Sequence, residues 1–113
     1  MNVNAGALTF TSGAAIRIGA NGAGANGTLN IGGGTVNVSS DIYVARAAAS
    51  ANVTGAINIT DGALNMGSRT IFLSSGNNGV VNDPAGGTGG TASLLVSGGT
   101  LTALKIFAGA ATG

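Results

Sequence analysis

The sequence predicts an all-β fold, a parallel β-solenoid of about four rungs read as a three-sided β-helix. Three observations carry that expectation. Short stretches alternate apolar with small polar residues, as half-buried strands do. Glycine-rich corners separate them, 22 of the 113 residues being Gly. The strand-and-corner pattern also recurs along the chain, and such self-similarity marks repeat architectures.

The clearest element is "GTLNIGGGTVNV" at 27–38. Alternation puts Leu29 and Ile31 on one face and Thr28 and Asn30 on the other; beyond the glycines, Val36 and Val38 oppose Thr35 and Asn37. Glycine admits backbone angles closed to other residues, so the chain can turn between strands there. "GAINITDGALNM" at 55–66 repeats the pattern, and "ASLLVSGGTLTA" at 92–103 repeats it with Leu95 and Thr102 in the Asn positions. "GALTFTSGAAIRI" at 6–18 fits more loosely, with Leu8 aligned to Leu29. On that alignment the anchors Leu8, Leu29, Ile57 and Leu94 stand about 21, 28 and 37 residues apart.

Each unit carries a third strand: "DIYVA" at 41–45, "TIFLS" at 70–74, "KIFAG" at 105–109 and a reduced "IRI" at 16–18. Three strands per unit describe one turn of a three-sided coil, each strand lying parallel to its counterpart about 4.8 Å away. The whole chain, 1–113, then forms one domain with rungs at about 6–26, 27–54, 55–90 and 91–113. The first wall is lined by Leu8, Phe10, Leu29, Ile31, Ile57, Ile59, Leu94 and Val96. Val36, Val38, Leu64, Met66 and Leu101 line the second. Ile16, Ile18, Ile42, Val44, Ile71, Leu73, Ile106 and Ala108 line the third. An antiparallel sandwich also uses short strands, but here whole three-strand units resemble one another and no two-residue hairpin turn recurs.

The outward positions hold the candidate contacts. Asn30 stacks over Asn58, and Asn37 over Asn65 and Thr102, as amide ladders that stabilise the coil. On the third wall Tyr43, Phe72 and Phe107 point outward in register, with Arg17 at the first rung. Contiguous exposed aromatics mark a contact surface; the alternative is that a long loop such as 75–91 folds over them.

The chemistry of a catalyst is sparse. There is no Cys, His or Glu, and the carboxylates Asp41, Asp61 and Asp83 fall on different parts of the coil, so no enzyme, metal site or cofactor is expected. "TDG" and "NDP" read as Asx-type turns. "GAGANG" at 22–27 matches a dinucleotide-binding pattern, but the strand "TLNI" follows it where a helix is needed. A net charge of +1 leaves no basic patch for nucleic acid, and no apolar run is long enough for a membrane helix. "MNVNAGALTF" lacks the regions of a signal peptide, which leaves another export route or an excised segment.

The repeated "GTLNIGGGTVNV…IYVA", with its Gly/Ala/Asn-rich loops, resembles the β-strand repeats of bacterial autotransporter-associated and other large surface proteins. The resemblance implies a secreted or surface-attached right-handed β-solenoid acting as a fibre, stalk or adhesin. Two functions follow as expectations. One is a structural block whose copies stack head to tail into an extracellular fibre, since "FAGAATG" read into "NVNAGALTF" resembles the internal junction "VARAAASANVTGAINI". The other is an adhesin-like module that binds glycan or a surface through the aromatic stripe and loops.

Overall fold

The computed structural model of the chain describes residues 1–11, 13–20, 24–46, 53–74 and 90–108, and over these the protein is all-β with no helix. The strands in chain order are β1 (Asn2–Val3), β2 (Ala7–Phe10), β3 (Ile16–Ala20), β4 (Asn26–Val38) and β5 (Ile42–Arg46). They continue as β6 (Thr54–Asn65), β7 (Thr70–Leu73), β8 (Thr91–Val96), β9 (Thr100–Thr102) and β10 (Lys105–Ala108). They form two sheets. One runs β1-β4-β6-β8, with β2 also beside β4 and β9 beside β6; the other runs β10-β7-β5-β3. All the pairings are parallel. The chain therefore passes repeatedly from one sheet to the other, and a strand's partner belongs to a different repeat.

Register follows the predicted strand order through most of the chain. Leu29 faces Ile57 and Ile57 faces Leu94; Val36 faces Leu64 and Leu64 faces Leu101. Asn30 and Asn58, 28 residues apart, are bonded through their side chains. The first repeat departs from the prediction. Leu8 and Phe10 pair with Val36 and Val38, in the second predicted wall, while Val3 faces Ile31 in the first. The physical reason is the turn: Gly6 and Gly34 both take a left-handed backbone, with φ of 77° and 73°. A shared bend of that kind sets the register that follows it.

A second departure is the number of walls. The first and second predicted walls belong to one sheet, because β4 and β6 run through the glycine corner as strands of 13 and 12 residues. The glycines break the ladder without ending it: register shifts fall between Ile31 and Gly32 and between Gly32 and Thr35.

The core lies between the sheets. Ile31, Val36, Ile42, Val44, Ile57, Ile59, Leu64 and Ile71 are completely buried there. Burial fails at the last strands. Val96 and Ile106, predicted to face inward, are 44% and 46% exposed, and Ala108 is exposed as well. Among the described strands β8 and β10 are the terminal members of their sheets, so no described strand covers that side of these residues.

Candidate functional site

The aromatic residues stack as a column. In β5 alternation turns Ile42 and Val44 into the core, which sends Tyr43 to the opposite face. β7 and β10 repeat this with Phe72 and Phe107, and the parallel register sets Tyr43 against Phe72 and Phe72 against Phe107. Ring centroids are 4.8 Å apart between Tyr43 and Phe72, at 8° between planes, and 5.5 Å between Phe72 and Phe107, at 1°. Arg17 faces Tyr43 across the ladder.

The column is not an open stripe. Tyr43 is 2% exposed and Phe72 4%; only Phe107, at 38%, and Arg17 are open to solvent. Alternation identifies the face a side chain takes but not what covers that face. Stacked neighbours cover the ring faces, and the Arg46 guanidinium lies 4.9 Å from the Tyr43 centroid. Residues 75–89, most of the loop considered as a cover, lie outside the described residues. Arg46 itself is 5% exposed, and its Nε is buried without a hydrogen-bond partner among the described residues. At the other end of the column the Lys105 ammonium sits 5.0 Å from the Phe107 centroid. Cations over ring faces are attracted by the ring quadrupole.

The amide ladders form as expected, and one extends further. Asn58 Nδ2 donates to Asn30 Oδ1 at 2.9 Å, and Asn30 Nδ2 donates to Asn2 Oδ1 at 2.8 Å. Aligning the first repeat from residue 6 hides the Asn2 member, whereas matching "NVNAGALTF" to "NIGGGTVNV" places Asn2 on Asn30. In the second ladder Asn65 Nδ2 donates to Asn37 Oδ1 at 3.1 Å. These amides are spent on one another.

The described carboxylates serve the backbone. Asp41 Oδ1 accepts the Thr70 N–H at 2.9 Å, tying the start of β7 to the strand beside it. Asp61 Oδ1 accepts the Gly62 N–H at 2.7 Å. Asp83 lies outside the described residues. Among the described residues no three metal-ligating side chains come together. A shallow groove of about 390 Å³ runs past Thr9, Asn37, Asn65, Ser68 and Arg69, beside the second ladder.

The remaining features are the two sheet edges. On one side β8 and β10 expose Leu95 (55%), Val96, Ile106 and Phe107, with Leu104 (66%) between strands. On the other, β1 and β3 end the sheets, and a cavity of about 490 Å³ opens among Ile16, Ile18, Leu29, Val36, Val38 and Ile42. One edge protrudes with apolar side chains, and the other is hollow, its mainly apolar lining including Arg17, Asn26 and Thr28. Compared with family models, curated proteins and solved structures, the chain matches none.

Proposed function

We propose that the chain is a structural building block of an extracellular or cell-surface fibre, a right-handed β-solenoid of about four rungs whose copies stack end to end. The supporting observation is the pair of open sheet edges, β8 and β10 on one side and β1 and β3 on the other, beyond which no described strand pairs. An exposed strand edge is a template for further pairing unless it is blocked by charge, proline or a covering segment. Each edge carries one charged side chain within its strands, Lys105 on β10 and Arg17 on β3, and no proline. The solenoid reading rests on the way the chain alternates between two parallel sheets with a recurring register. The surface location rests on the resemblance to autotransporter-associated repeats.

The binding-module reading rests on the aromatic stripe and the loops; burial of Tyr43 and Phe72 narrows the open part of the stripe to Phe107 and Arg17, and residues 75–89 of the long loop lie outside the described residues. Catalysis, a cofactor, nucleic acid and membrane insertion have no part in the proposal; no helix among the described residues is long and apolar enough to cross a membrane. Electron microscopy and sedimentation velocity of the purified chain test it. Unbranched filaments and a mass that grows with concentration are expected. A monodisperse monomer at every concentration overturns the fibre.

A further inference from the structure

We infer that the β1/β2/β3 edge of one copy receives the β8/β9/β10 edge of a second copy, in the parallel register that joins neighbouring strands within the chain. This deepens the end-to-end reading and rests on it.

The register is fixed by positions that already share a ladder. Asn58 faces Asn30 on one side and Leu95 on the other, and Asn30 faces Asn2. Asn2 and Leu95 are therefore equivalent positions at opposite ends of one ladder, and continuing it sets Asn2 of one copy on Leu95 of the next. The same step sets Val3 on Val96, Leu8 on Leu101 and Ile16 on Ile106. Each is an apolar pair of the kind found inside the chain, as Ile31 on Ile59 or Ile42 on Ile71. Arg17 stands opposite Phe107, so the column passes from one copy to the next.

Shape agrees with register. Val96 and Ile106 are nearly half exposed at one edge. At the other edge the hollow of about 490 Å³ is lined by the same interior wall, including Ile16, Ile18 and Leu29. Parallel pairing of unlike edges is heterologous and does not close after two copies, so it generates a series. Joining two like edges would need antiparallel strands, a pairing found nowhere in the described ladders.

The chain has no cysteine, which allows a direct test. Asn2 and Leu95 are exposed, and parallel neighbours at about 4.8 Å lie within the Cα separation a disulfide accepts. Oxidising the Asn2→Cys/Leu95→Cys double variant should give a covalent ladder of dimer, trimer and higher species on a non-reducing gel. Each single variant should give no such ladder. Circular dichroism checks the fold; if this variant misfolds, Thr9→Cys/Thr102→Cys probes the same register on the adjoining strands. Dimers from Leu95→Cys alone mean like edges meet, and overturn the inference. Faster linking in Asn2→Cys/Ser93→Cys means a shifted register, and overturns it too. Filaments without any cross-link defeat the register while leaving the fibre; monomers throughout defeat both.

Discussion

Gly6, Gly34, Gly62 and Gly99 hold one bend four times, with φ between 73° and 81°. Left-handed backbone costs an L-residue roughly 1–2 kcal/mol. At three of these positions crowding adds to that. A Cβ on Gly34 would strike the backbone of Gly6, one on Gly62 that of Gly34, and one on Gly99 that of Gly62. Gly67 is also left-handed, at 58°, but a Cβ there meets nothing within 4 Å. Gly34→Ala should therefore lower stability by more than about 2 kcal/mol, and Gly67→Ala by only about 1 kcal/mol. Urea titration separates the two; equal losses would mean the bends are not stacked backbone to backbone. Leu95 offers the opposite case. It is 55% exposed where the ladder has Asn58 beneath it, so Leu95→Asn should lengthen the amide ladder and raise stability by up to about 1 kcal/mol. An unchanged or lower urea midpoint would count against the ladder as a stabiliser.

For the strands, position in the sheet outweighs pattern. Ile59 and Ile106 carry the same alternation, yet Ile59 is wholly buried in β6 and Ile106 is 46% exposed on β10. Ile59→Asp should abolish folding, because an unpaired charge between sheets costs several kcal/mol. Ile106→Asp should leave a folded protein, and thermal melts followed by circular dichroism will rank the two. Alternation made most of this legible. It identified the inward set of β4, β6 and β7 and the column Tyr43–Phe72–Phe107, since period two and parallel stacking are local properties. It could not show that β5 is buried at all five residues, because the cover of an outward face comes from elsewhere in the chain. Nor did it expose β1, whose two residues are too few to alternate. The walls were over-divided for a related reason: glycine permits a corner but does not oblige the strand to end there.

Over the whole molecule, if copies join end to end as proposed, the two edges govern association. Val96→Lys with Ile106→Lys places charge where both side chains are already partly open, so the fold should persist while assembly is lost. Sedimentation velocity should then give a monomer, and filaments surviving the change would mean that other surfaces join the copies. The ladder spacing also governs how fast the chain can fold. Asn2 with Asn30, Asn30 with Asn58 and Asn37 with Asn65 are each bonded across 28 residues, about a quarter of the chain. No hairpin among the described strands supplies a local nucleus, so the first ladder must close a loop of that size before any contact rewards it. The closure entropy alone is about 3 kcal/mol. Such high contact order places refolding in the slow range of all-β domains, roughly milliseconds to seconds. Stopped-flow dilution from denaturant will time it, and microsecond folding would contradict the parallel register. Throughout that search the apolar strands lie uncovered, so the yield of native protein should fall as chain concentration rises during refolding.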